Sequence, residues 1–312
     1  MSLGGCLAGK SVQGFPDKST PTLPYNPETR ITKPVKTALA AITFSLSLLA
    51  GVTCAQAVQV TLYDGNSGVT PNQAGAAPNG PWLAFGTLGG SQSVVPGGTN
   101  LNTIGDRNFT AGYSNRSPGF TPGALVNPAF PNLDRNAGYT LNFTVQIVSE
   151  VSDGPNGANR AGFSVIANSS DVAAGTAASI ELGFKNDRVF AQNVGFTAGE
   201  QTTGFNPVGA NAINYSLSVS GNNYQLFANG NSILSGALRD YTSFAGTPNP
   251  YTTSNFIFLG DNTTQSRANI NLNAVSVNTN TAAAVPFDFN PTFGLLILGA
   301  WTGFRHLKTK QK

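Results

Sequence analysis

At 312 residues the chain is long enough for one large or two modest domains. Only 10% of it is charged, against ~25% in an ordinary globular chain, and 36 glycines and 19 prolines break it into short pieces, which argues against coiled coils. The formal charge of +3 belongs to the ends: residues 1–57 and 285–312 each carry +3, whereas residues 58–284 hold 8 basic and 11 acidic residues and offer no basic patch for nucleic acid.

Cys6, Cys54 and His306 all lie in those ends. The body therefore has no thiolate, imidazole or disulfide, and cysteine nucleophiles, histidine triads and Cys/His zinc sites are excluded from it. Carboxylates, hydroxyls, amides and aromatic rings remain for its chemistry.

In chain order, Gly4 to Ser11 (GGCLAGKS) spells a phosphate-loop pattern. It is read as accidental, because no strand precedes it and Pro16 interrupts the helix it would have to open. Arg30, Lys33 and Lys36 then precede the uncharged run Ala38 to Val52, followed by Ala55-Gln56-Ala57. A basic segment, an apolar segment of that length and a small-x-small site predict a secretory signal helix removed after Ala57, leaving Val58 as the first residue.

A strand is predicted over Val58 to Tyr63. Between Gly65 and Leu133, Gly, Pro, Asn and Ser punctuate short pieces, read as long loops and short edge strands. From Tyr139 onward period-two patterns dominate. Tyr139, Leu141, Phe143, Val145 and Ile147 alternate with polar residues, and similar runs fall at 163–167, 179–184, 214–219, 224–227, 256–259 and 269–277. Asn229-Gly230 marks a two-residue hairpin. In the last run the apolar positions move from Ile270, Leu272 and Ala274 to Val275 and Val277, which predicts a bulge. The fold class that follows is all-β, an antiparallel two-sheet sandwich over 58–278, with 279–284 as a short stalk. The strand rhythm of GYTLNFTVQIVSE, RAGFSVIANSS, SIELGFKNDRVFAQ, NYSLSVSGNNYQLFANGNSILSG and NFIFLGDN resembles the concanavalin A-like, laminin-G-like jelly roll.

Glycoside hydrolysis needs a pair of carboxylates facing one cleft. Glu150 and Asp153 stand three apart at a strand end, and Glu181 stands between Ile180 and Leu182; all are read as solvated or outward-facing. No catalytic residue is assigned, and a secreted glycan-active enzyme, a hydrolase or lyase, is the alternative to binding or structure. Calcium is the one cofactor the residues allow, with Asp261, Asn262 and Asp187 as the candidate oxygen donors at strand ends and turns. For an extracellular glycan or matrix partner, Trp82, Tyr241 and Tyr251 lie in loop-like sequence as candidate platforms.

At the C-terminal end Pro286, Asp288 and Pro291 precede the apolar run Phe293 to Phe304, which is followed by RHLKTKQK. From Val285 the run reaches twenty residues, a bare membrane span, with Arg305, Lys308, Lys310 and Lys312 holding its end on the cytoplasmic side. Proline motif, short apolar helix and basic cluster resemble the PEP-CTERM-type sorting signals of Gram-negative and cyanobacterial exported proteins. That resemblance implies a single hydrophobic helix and a partner transpeptidase of exosortase type acting near Pro286 to Pro291. A plain transmembrane anchor is the other reading of the same residues. Either way an exported, C-terminally anchored surface or matrix protein is expected.

Overall fold

The computed structural model describes residues 57–74, 82–87, 89–116, 127, 130–247 and 249–280. Ala55 and the expected signal helix lie outside the described residues, as do Pro286, Asp288, Pro291, Arg305, Lys308, Lys310, Lys312 and the expected C-terminal helix. Among the described residues no helix is long and apolar enough to cross a membrane.

Fifteen strands are described: β1 (Ala57–Asp64), β2 (Leu83–Thr87), β3 (Ser91–Val95), β4 (Gly98–Asn102), β5 (Thr110–Ser114), β6 (Tyr139–Val151), β7 (Ser164–Asn168), β8 (Ser179–Phe184), β9 (Val189–Gln192), β10 (Ala198–Gln201), β11 (Ile213–Ser220), β12 (Asn223–Ala228), β13 (Asn231–Ala237), β14 (Phe256–Asp261) and β15 (Arg267–Asn280). One sheet runs β13-β12-β11-β6-β15-β4-β3, with β1 also paired to β15; the other runs β10-β9-β8-β7-β14-β5-β2. The two antiparallel sheets stack as the expected jelly-roll sandwich, and their facing side chains form one continuous apolar core.

The local chemistry of each element is visible in this arrangement. On β6, Leu141, Phe143, Val145 and Ile147 enter the core while Asn142, Thr144 and Gln146 face out, because a strand's side chains alternate between faces. Asn229 and Gly230 take φ of 49° and 80° between β12 and β13, the left-handed pair that a two-residue hairpin needs. The predicted bulge in β15 is present, one position earlier than the apolar pattern implied: the register shifts between Leu272 and Ala274, which leaves Ala274 out of the core and puts Val275 and Val277 into it.

Two differences from expectation have separate physical causes. Within 65–133 only β2 and β3 sit at sheet edges; β4 lies between β15 and β3, and β5 between β14 and β2. In β5 (TAGYS) every residue is buried, because Gly112 leaves room for the Phe258 ring to lie against the backbone. Short, small-residue strands covered on both faces carry no alternation to read. At the other end, β15 extends to Asn280, two residues past the expected boundary at 278, since Ala57 and Val58 of β1 pair with Asn280 and Thr279.

Candidate functional site

Period-two alternation sends Ile180 and Leu182 of β8 into the core and Glu181 to the opposite side of the sheet. That side is not wet. The connection from β13 to β14 folds down over it and lays Tyr241, Phe244 and Tyr251 against Ile166, Phe256 and Phe258, forming a second apolar cluster. Phe196, from the β9–β10 turn, completes the cover with ring centroids 5.6, 5.0 and 5.4 Å from those of Tyr241, Phe244 and Tyr251. Its φ of 57° is a left-handed conformation that a bulky side chain adopts only where packing imposes it.

Beneath this cover Glu181 is fully buried. The Tyr251 hydroxyl donates to its Oε2, while Arg160 Nη2 and Asn262 Nδ2 each lie 3.4 Å from its Oε1. Burial, reinforced by the Glu181 charge, holds the Tyr251 phenol protonated far above the usual tyrosine range. The Arg160 guanidinium also stands 5.5 Å over the Phe196 ring, a cation–π contact.

Arg160 is delivered by the loop after β6, which is bracketed from several sides. Gly154 N–H donates to Gln265 O at 2.9 Å, Asn156 N–H to Gln265 Oε1 at 3.0 Å, and Lys185 Nζ to Gly157 O at 2.8 Å. Glu150 accepts from Ser152 Oγ and from the backbone N–H groups of Asn186 (3.0 Å) and Gly162 (3.4 Å). Its carboxyl is raised by burial, partly offset by these donors.

The result is a cavity of about 250 Å³ between sheet and cover. Phe85, Ile166, Phe256 and Phe258 form its apolar walls, and Arg160, Asn262 and Ser114 supply polar groups. A shallower recess adjoins it, sharing Arg160, Phe244 and Asn262 and extending to Thr263, Thr264 and Gln265.

The residues singled out from sequence are placed differently from expectation in several cases. Trp82 is buried edge-on against Phe130 at 4.7 Å, with Nε1 donating to Leu62 O at 3.0 Å, so it caps the core and offers no platform. Tyr241 is fully buried and donates to Gln192 O at 2.6 Å. Tyr251 borders the cavity but is bound to Glu181 and 2% exposed. In both cases the loop-like sequence folds flat onto the sheet and turns its aromatic rings inward. Glu150 and Glu181 are buried, not solvated; Asp153 is exposed and pairs with Arg267 at 2.7 Å. Among Glu150, Asp153, Glu181 and Asp261, none lines the cavity.

The calcium donors are not assembled. Asp261 is buried, with its carboxylate accepting from Thr103 Oγ1 at 2.6 Å and from Thr263 N–H at 3.1 Å, and burial pushes its carboxyl far above the usual range. Asp187 is exposed on the β8–β9 turn beside Arg188 at 2.8 Å, and Asn262 faces Glu181. Among the described residues no group of three or more His, Cys, Asp and Glu is placed to hold a metal ion. The residues that sequence reasoning missed are Arg160, Phe85, Phe244 and Phe258. One signal was available for the last: Phe256 to Leu259 is apolar at every position, as a strand covered on both faces must be.

No protein-family model matches the chain, and no curated protein matches it. Several solved structures are similar in fold. A carbohydrate esterase from a Shiga toxin-encoding bacteriophage is 12% identical over 72% of this chain and 100% of its own, with a TM-score of 0.48. A protein of unknown function with a galectin-like fold from Bacillus subtilis is 11% identical over 72% and 98%, at 0.41. The carbohydrate recognition domain of Emp47p is 8% identical over 71% and 96%, at 0.39. Likenesses at this level decide nothing about the site, whose reading rests on its own geometry.

Proposed function

We propose that the sandwich is a saccharide-binding domain whose ligand enters the cavity between the second sheet and the β13–β14 connection, within an exported protein held at the cell surface by its C-terminal segment. The observation that carries the binding reading is the convergence of Arg160 and Asn262 on a cavity walled by Phe85, Phe256 and Phe258. A sugar ring presents apolar C–H faces and a rim of hydroxyls. Aromatic walls take the former, while a guanidinium and an amide take the latter, the apolar-pocket-with-few-polar-groups pattern of small-molecule sites. Binding is favoured over hydrolysis because a glycosidase acts through two carboxyl groups roughly 5–10 Å apart on either side of the scissile bond. Here Glu181 is engaged behind Tyr251 and Arg160, and Glu150 is engaged in holding the Arg160 loop.

The test is a glycan array probed with the full-length chain, followed by calorimetry on the strongest ligand. Phe244→Ala and Asn262→Ala should each weaken binding about tenfold, equivalent to ~1.4 kcal/mol, while Asp187→Asn on the exposed β8–β9 turn should leave it unchanged. A silent array, or both cleft variants binding as tightly as the parent, would overturn the reading.

A further inference from the structure

The outward face of the eight-stranded sheet is nearly free of charge. Its strands contain only Asp64, Glu150 and Arg267 as charged residues. Glu150 is buried, Asp64 ends β1, and Arg267 starts β15 in its pair with Asp153, so the charges that reach the surface sit at the ends of strands. An ordinary solvated surface keeps a protein soluble with interspersed Lys, Arg, Asp and Glu. This one presents Asn, Gln, Ser and Thr instead.

Those side chains are tied to one another across strands. Asn142 and Ser216 meet at 2.7 Å, Thr144 and Asn214 at 2.8 Å, and Asn271 and Gln146 at 2.9 Å. Further along, Asn100 donates to Asn269 at 2.6 Å and to Asn271 at 2.8 Å. Each bond fixes two rotamers and leaves further donors and lone pairs on the same amides and hydroxyls. The face is therefore an ordered lattice of hydrogen-bonding groups, about 4.8 Å apart across strands and about 6.8 Å apart along them. An open groove of about 350 Å³ crosses it from Thr61 on β1 over Ser276 on β15 and Asn142 on β6 to Ser216 on β11, with the exposed Asp64 at its β1 end as its one charged residue.

We infer that this face is a second docking surface, which adsorbs an uncharged, hydroxyl-rich polysaccharide laid across the strands. Charge complementarity selects the occupant. A nucleic acid or acidic polymer needs cations that the face does not offer. A second copy of the chain would need an apolar, aromatic interface core, whereas the large apolar residues exposed on these strands are the valines Val58, Val94, Val148 and Val151, none of them aromatic, among amides and hydroxyls. A neutral polymer matches the face group for group, and many weak contacts add along a repeating chain. The inference is independent of the cavity on the other sheet.

The experiment is cosedimentation of the full-length chain with microcrystalline cellulose, chitin and insoluble starch. At least one of the three should retain the parent protein, and 1 M NaCl should not release it, since no ion pair is screened. Thr61→Glu, at an exposed position of β1, and the double variant Ser216→Glu/Ser218→Glu should each lower the retained fraction about tenfold. Phe244→Ala should be retained like the parent. If the double variant fails to fold by circular dichroism, Thr61→Glu alone decides. Retention by none of the three polymers, or undiminished retention of the folded glutamate variants, would overturn the inference. Loss on Phe244→Ala alone would overturn it too, by assigning the polymer to the cavity and leaving the saccharide-binding reading intact.

Discussion

Asp261 shows how one buried side chain sets a measurable property of the whole fold. Its carboxyl is raised far above the usual range, first by burial, so the folded state keeps a proton that the unfolded chain releases from about pH 3.9 upward. The native state binds more protons than the unfolded one across that interval, so stability is greatest below the ordinary aspartate range and falls as pH rises toward the raised native value. Glu150, also raised by burial, acts in the same direction. Asp261→Asn mimics the protonated form: its amide can face Thr103 Oγ1, whose own proton then goes to Ala268 O at 3.2 Å. Calorimetric melting between pH 4 and 8 should find the variant more stable than the parent at pH 7, with a flatter pH dependence. Parallel curves for the two proteins would refute the assignment. At this scale the sequence is half legible. That Glu181 points away from the core is readable from Ile180 and Leu182 on either side. That water does not reach it depends on Tyr251, 70 positions later, which no local pattern announces.

Among the elements, turns and close contacts set different costs for the same substitution. Gly230 sits in the β12–β13 hairpin at φ of 80° with open space where a Cβ would go. Gly230→Ala should therefore cost only the left-handed backbone penalty, ~1 kcal/mol. At Gly112 of β5, φ is unexceptional but a Cβ would come within 2.6 Å of the Phe258 ring and 2.8 Å of Leu259 O. Gly112→Ala should cost clearly more, because β5 or β14 must shift within a close-packed layer. Denaturant midpoints of the two variants check the ranking; equal losses would mean that β5 yields easily. The same contrast explains which strands could be read from sequence. β6 and β11 have one buried and one polar face, so alternation exposes them, and the Asn-Gly pair fixes the hairpin that follows. β4, β5 and β10 are four or five residues long and are made largely of Gly, Ala, Thr and Asn, with too few large side chains to show a period. Nothing in such segments distinguishes a strand from a loop until their neighbours are placed.

At the scale of the molecule, β1 and β15, the first and last strands among the described residues, are paired with each other, Ala57 opposite Asn280 and Val58 opposite Thr279. The chain therefore enters and leaves the sandwich at one place. Removal of the leader after Ala57 would forfeit a single strand pair and leave Leu62 and Tyr63, both fully buried, in the core. Mass analysis of the protein recovered from the cell surface should accordingly find Val58 at its amino end. The proposed attachment at the other end rests on the apolar run from Phe293 to Phe304 and the basic residues that follow it. Placing a charge at the bilayer centre costs roughly 2.5–3.5 kcal/mol on insertion scales, which a run barely long enough to span cannot absorb. Leu296→Arg should therefore release the protein into the medium. Neutralising Arg305, Lys308, Lys310 and Lys312 together should weaken retention by removing what stops the end from crossing. Asp288→Asn, which the proposed span puts at its outer end, should leave attachment intact and disturb only processing at the proline motif. Fractionation with immunodetection separates these outcomes: a Leu296→Arg variant held in the membrane fraction as firmly as the parent would show that this segment is not what holds the protein at the surface.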